Sequence, residues 1–224
     1  MQSVHDVQLA DLVNSSNPQA VVEEASQCWN NRYEEESFLQ IAGIASRIQA
    51  LFCGGFNGYH SCDTGYHDIK HTLDVFLATV RMLDGRAIQR GPLPEDLARD
   101  LLIAALCHDV GYIRRYGEEE GTGARFTACH VARSAEFVLE HGPSFGLDDE
   151  SAKRIARIIM ATGLKNEFQE QNWETPLERD AGAILGSADL LGQMSDRAYL
   201  EKLLFLYYEF REAGFPGYDT EFDI

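Results

Sequence analysis

The sequence predicts a single all-α domain. Three observations carry that prediction: apolar residues recur at mixed three- and four-residue steps along most of the chain, strand-like alternation is scarce, and no repeat, low-complexity tract or domain linker divides it. A length of 224 residues with 45% apolar and 25% charged content is ordinary for one globular domain with its own core.

Taken in order, Val21–Trp29 and Phe38–Phe52 have the amphipathic period of helices and are expected to flank the domain on its N-terminal side. Residues 1–59 therefore read as a helical flank, 60–214 as the core and 215–224 as a tail. Gly54, Gly55, Gly58 and Gly65 break the chain, and Cys53–Tyr66 is expected to form a loop of aromatic and small residues. A chemically dense helix is predicted from about Tyr66 to Leu83. Pro94 and two acidic residues in GPLPEDLARD mark the next start, because proline tolerates a first turn and carboxylates suit its positive end. That helix is expected to reach about His108, and its nearly continuous apolar interior, LLIAALC, places it centrally. Gly111–Gly123, with glutamates between glycines, reads as an exposed loop. Further helices are predicted over Thr127–Glu140, Asp149–Ala161, Leu177–Met194 and Asp196–Glu212.

The formal net charge of −17 argues against a partner such as duplex nucleic acid, whose sequence-independent affinity comes from lysine and arginine neutralising phosphates. A small phosphorylated substrate such as a nucleotide stays compatible, since a bound cation reverses the field inside a pocket. The five cysteines are odd in number and scattered, without a CxxC pair, so neither a disulfide framework nor a thiolate zinc site is expected and reduced thiols in a cytoplasm fit best. The N-terminal stretch lacks the basic start and apolar run of a signal peptide, and no window reaches the roughly 18 apolar residues of a membrane span. Whether the chain forms a homo-oligomer is left open.

Three segments concentrate the chemistry. In GYHDIKHTLDV, His67 and His71 are four residues apart and are expected to share one helical face. LLIAALCHDVGY ends an apolar helix in His108 and Asp109, a nitrogen donor beside a hard anionic oxygen at the edge of a core, where a buried charge needs a partner. GAILGSADLLGQ sets Asp189 among small and apolar neighbours. Together His71, His108, Asp109 and Asp189 offer two nitrogens and two carboxylates, a set suited to a divalent cation such as zinc, manganese, iron or nickel, or magnesium at the harder end. Such a cation activates water and polarises a phosphoryl oxygen, and His67 is placed to protonate the leaving oxygen.

The order His71, then His108–Asp109, then Asp189 resembles the H…HD…D signature of the HD superfamily of metal-dependent phosphohydrolases. GYHDIKHTLDV is similar to the YHN-x-x-H segment of cyclic-nucleotide phosphodiesterases, IIMATGLK to their apolar-Ala-Thr-Asp helix, and SADLLGQ to their final ligand helix, over about Tyr66 to Gln193. The resemblance implies an HD-type helical bundle holding one or two divalent metal ions. It makes His71, His108, Asp109 and Asp189 ligands, Asp109 the bridge if a second metal binds, His67 the proton donor, and Thr162 a contact to the second metal's water. Asp68 stands where that family has Asn and Gly163 where it has Asp, and no purine-selecting glutamine lies in a matching frame, so cyclic-nucleotide specificity is not carried over.

His130 in ACHVARSAEFV is a candidate for a second metal or for phosphate contact. Arg114, Arg115 and Lys165 are each either a phosphate grip or solvated surface. His141 precedes Gly142 and Pro143 and is expected to cap its helix, where a cation is favoured. The aromatic run FLYYEF is expected to pack the last helix. The predicted activity is metal-dependent hydrolysis of a small phosphoester. A diiron oxygenase on the same scaffold and a metal-binding sensor without catalysis are the alternatives.

Overall fold

The computed structural model describes residues 13–163, 168–196, 198–221 and 223. Among them the chain is all-α, as its periodicity predicts, with eight α-helices and no strand. These are α1 (Pro18–Asn30), α2 (Glu35–Phe52), α3 (Ile69–Arg90), α4 (Glu95–Cys107), α5 (His130–His141), α6 (Asp149–Ile159), α7 (Pro176–Ser195) and α8 (Tyr199–Glu212). Short 3-10 turns follow α4 at Val110–Tyr112, precede α5 at Gly123–Phe126 and extend α6 over Met160–Thr162.

Local chemistry sets most of the helix starts. Asn17 caps α1 by accepting from the Gln19 and Ala20 amides, Asp148 caps α6 through the Ser151 amide, and Thr175 caps α7 through the Glu178 amide ahead of Pro176. No side chain caps α4; Glu95 and Asp96 occupy its first turn instead, where carboxylates meet the positive end of the helix.

α4 is the central helix. Every residue from Leu101 to Cys107 is buried, and the helix packs against α2, α3, α6 and α7. Truncating one of these side chains, as in Leu101→Ala, is expected to cost about 2–5 kcal/mol. α3 and α7 lie along each other, and Gly192 permits the approach: a Cβ there would stand 2.9 Å from Val75 Cγ2 and 3.1 Å from the Val75 amide nitrogen. α8 behaves differently. It buries Tyr207, Glu209 and Phe210 but leaves Leu200, Leu204, Phe205 and Tyr208 exposed.

Two of the helices whose bounds differ from expectation do so for identifiable reasons. The helix expected over Tyr66–Leu83 starts at Ile69, because the Asp68 carboxylate accepts the His71 amide at 2.8 Å and so caps it, and it runs on to Arg90, where Gly91 at φ 84° turns the chain away. His67 is thus outside the helix, and the expected shared helical face with His71 does not exist. The last helix starts at Tyr199 instead of Asp196, whose carboxylate accepts the Ala198 amide at 3.0 Å in the preceding turn. No helix among the described residues is long and apolar enough to cross a membrane.

Candidate metal centre

His71 stands in the first turn of α3, its amide tied to the Asp68 cap. His108 closes α4, and Asp109 breaks the helix at φ −110°, ψ 5° before the 3-10 turn. The three side chains are buried and form a group able to hold a metal ion. His71 Nε2 lies 3.3 Å and His108 Nε2 3.2 Å from Asp109 Oδ2. None of these three atoms has a hydrogen-bond partner, so the short contacts lie outside hydrogen-bond geometry. Donors about 2.1 Å from a common cation stand roughly 3.0–3.4 Å apart in octahedral or tetrahedral arrangement, which the two separations match. The His108 Nδ1–H donates to the Ala105 carbonyl at 2.8 Å, which leaves the lone pair on the inward Nε2.

Asp189 reaches the same point from α7. Its Oδ1 is 3.3 Å from His71 Nε2 and 3.8 Å from His108 Nε2, a looser approach than that of Asp109. All four residues expected to be ligands are therefore brought together, from three helices, with the tightest group being His71, His108 and Asp109.

The electrostatics are those of a site short of positive charge. Burial works against protonating His71, but Asp109 and Asp189 outweigh it and lift its pKa to about 10. For His108 the balance has the same sign: burial lowers it and Asp109 raises it further. Burial pushes Asp109 up, yet His108 and His67 hold its carboxyl well below the usual range, and Asp189 is held low against its own burial by His71 and His108. Both shifts run in the direction that favours a proton on the imidazoles when no cation is bound.

A second set of groups faces the opposite side of Asp109. His130, at the start of α5, donates through Nδ1–H to the Thr127 carbonyl at 2.8 Å, so its Nε2 carries a lone pair and stands 3.7 Å from Asp109 Oδ1. Burial lowers its pKa, and Asp109 does not reverse this. Gly111 makes the arrangement possible, since a Cβ there would collide with the His130 carbonyl; its amide instead donates to Ser134 Oγ at 2.9 Å. Tyr112 then packs its ring nearly parallel to two imidazoles, with centroids 4.2 Å from His67 and 4.3 Å from His130, and those two imidazoles stand 6.0 Å from each other.

His67, although off the helix, is buried beside the cluster with its ring centroid 5.7 Å from that of His71. Its Nδ1 bonds to Glu209 Oε2 at 2.5 Å, and Glu209 Oε1 accepts the Tyr66 amide at 2.6 Å. Glu209, a buried carboxylate on α8, and the Tyr112 stack were not expected from sequence. A hint existed in FLYYEF, where one charged residue interrupts an aromatic run of which Tyr207 and Phe210 pack inward.

The remaining candidates make contacts of other kinds. Thr162 ends its 3-10 turn with its hydroxyl donating to the Ile159 carbonyl at 2.9 Å. Arg114 binds Asp63 through Nε at 2.9 Å and Nη2 at 2.7 Å and the Glu118 carbonyl through Nη1, which commits its guanidinium to the loop. Lys165 falls outside the described residues. His141 bonds to Tyr59 Oη at 3.1 Å within rings of Phe56 and Phe137, and burial lowers its pKa, so it serves an aromatic cluster and not as a cationic cap.

Against known proteins, a family model described as Npun_R2479-like matches residues 19–120 and, in a second overlapping stretch, 117–221. No curated protein and no solved structure matches the chain.

Proposed function

This chain belongs to the Npun_R2479-like family, a name that carries no chemistry, and from the site itself we propose that it is an HD-type metal-dependent phosphohydrolase acting on a small phosphoester. The observation that carries this reading is the convergence of three buried donor atoms, His71 Nε2, His108 Nε2 and Asp109 Oδ2, none with a hydrogen-bond partner. Leaving such atoms unsatisfied costs about 1–3 kcal/mol each, a penalty that one shared cation offsets. Two nitrogens with two carboxylates suit zinc, manganese, iron or nickel, with magnesium at the harder end. When bound, a divalent cation acidifies a coordinated water and polarises a phosphoryl oxygen.

The chain's own groups do the rest. Asp109 and Asp189 supply the negative charge that keeps a cation in place. Glu209 holds His67 by Nδ1, which leaves Nε2 on the far side of the ring as the atom that hands a proton to the leaving oxygen. Tyr112 keeps that ring from turning by stacking on its face. The likeness of the His71, His108–Asp109, Asp189 order to the HD signature supports the same reading, and a nucleotide or phosphodiester is the substrate class it favours.

His130 favours a second reading. Its Nε2 lone pair faces Asp109 Oδ1 at 3.7 Å, which suits a second cation across the same carboxylate and hence a diiron oxygenase. Metal analysis joined to a hydrolysis screen over cyclic nucleotides, nucleoside mono- and triphosphates and generic phosphodiesters separates the two. Metal-dependent cleavage of a phosphoester is expected; oxygen uptake with turnover and no cleavage overturns the hydrolase reading.

A further inference from the structure

Beside the metal cluster, one more buried polar atom lacks a partner. Tyr66 is 2% exposed, and its hydroxyl is buried with no hydrogen bond. The residue is firmly held: its amide donates to Glu209, its ring meets that of His67 edge-on at 5.0 Å between centroids, and that of His71 lies 5.8 Å away. The hydroxyl is within electrostatic reach of Tyr199, Asp189, Asp109 and Asp196, yet none of them accepts from it. Tyr66 also lines a small cleft of about 10 Å³ shared with His71, Asp74, Gln193, Asp196, Tyr199 and Lys202. That is room for roughly one water molecule, or one oxygen atom of a larger group.

We propose that the Tyr66 hydroxyl is the donor for one oxygen of a tetrahedral oxyanion, inorganic phosphate or a phosphoryl group, seated over the metal cluster in this cleft. The assignment rests on reading the cluster as a phosphoester site. A phenol is protonated at neutral pH, with an ordinary pKa near 10, and therefore presents a donor that needs an acceptor. A buried donor without one is costly, so the missing partner is a group that the protein binds. The cleft admits a single oxygen, it reaches His71 of the cation-binding group, and, because Asp74 and Asp196 line it and Lys202 is paired with Asp196 and Asp68, the positive charge that an anion needs there is that of the cation the cluster holds. An oxyanion meets all three conditions. An apolar ligand meets none.

Titrating inorganic phosphate into metal-loaded wild-type and Tyr66→Phe protein tests this, with metal content and phosphate-free Tm measured on both and hydrolysis assayed separately. The variant is expected to keep its metal and its Tm, or gain in Tm as an unpaired buried hydroxyl is removed. It is expected to lose roughly tenfold or more in phosphate affinity, the loss typical of a hydrogen bond to a charged group. An unchanged Kd, or a fall in phosphate-free Tm that reveals a partner inside the protein, overturns the assignment while leaving the hydrolase reading intact. Phosphate binding that depends on Tyr66, without hydrolysis of any phosphoester, supports the assignment and removes the hydrolase reading. A wild-type protein that retains metal and binds no phosphate overturns both.

Discussion

The floor of the candidate metal site and its cover are built in opposite ways. The floor, where α3 meets the end of α4, is made of side chains that touch buried neighbours on every side: His108 is fully buried, Asp109 is 2% exposed, and Leu101–Cys107 behind them are core throughout. The cover, α8, turns Leu200, Leu204, Phe205 and Tyr208 outward and is tied down by polar contacts, Glu209 to His67 and Tyr66, Glu212 to Thr122, and Lys202 to Asp196. The atoms that could hold a cation thus sit on packed elements, whereas His67, the proposed proton donor, depends on a carboxylate delivered by a lightly packed helix. A ligand set must be held to fractions of an ångström, which packing provides. A proton donor must also let substrate in and product out, for which a helix held by a few polar contacts is better suited.

The largest expected effect is at the floor. Asp109→Ala removes the carboxylate that both His71 and His108 face, and it is expected to abolish metal retention measured by elemental analysis after dialysis. Retention of metal and activity would overturn the whole assignment. At the cover the contrast predicts the reverse pattern. Glu209→Gln keeps the shape of the side chain but weakens its hold on His67, so kcat is expected to fall about 100-fold or more, within the range typical of general acid catalysis, while metal content stays at the wild-type level. If Glu209→Gln loses metal, the floor and the cover are not separable and the comparison fails.

The two regions were not equally legible in the sequence. His71, His108, Asp109 and Asp189 could be found because each is an ionisable residue in an apolar frame, a local signal that needs no knowledge of the fold. Glu209 could not, since its partner His67 is 142 residues away and only the packing of α8 joins them. Tyr112 was hidden for the same reason: nothing in HDVGY says that the rings of His67 and His130 will both stack on it. His67 itself was placed near the site by the wrong geometry. Helical spacing put it on one face with His71, but Asp68 caps the helix between them, and the tie to Glu209 and the stack on Tyr112 hold the imidazole in place. The central position of α4 was readable from LLIAALC alone, because seven consecutive apolar or small residues in a helix leave no polar face for solvent.

An intermediate effect comes from pH. In the metal-free protein His71 has its pKa raised to about 10, from an ordinary value near 6.5 that it regains on unfolding. A raised folded pKa contributes stability that is fully present below about 6.5 and is lost progressively as pH rises toward 10. His108 shifts in the same direction, whereas His130, lowered by burial, acts only below its unfolded value. A bound cation replaces the proton and is indifferent to its loss. The gap in Tm between metal-loaded and chelator-treated protein is therefore expected to widen between pH 6.5 and pH 9. A gap that stays constant over that window shows that the metal-free site does not hold a proton on His71.

The smallest expected effect is at the hinge between the two regions, Asp68. Here it serves the backbone, with its Oδ1 accepting the His71 amide at 2.8 Å at the start of α3. Asn and Asp cap helices about equally well, while Ala does not and costs about 1 kcal/mol. Its other contact, Lys202 Nζ at 3.6 Å from Oδ2, reaches across to the cover and is a loose, partly exposed pair worth little. Asp68→Asn is thus expected to leave Tm and metal affinity close to wild type, and Asp68→Ala to lower Tm by a few degrees with some loss of metal as His71 loses its anchor. If Asp68→Asn instead behaves like Asp68→Ala, the negative charge and its reach toward Lys202 matter more than the cap, and α8 is coupled to the floor through this residue.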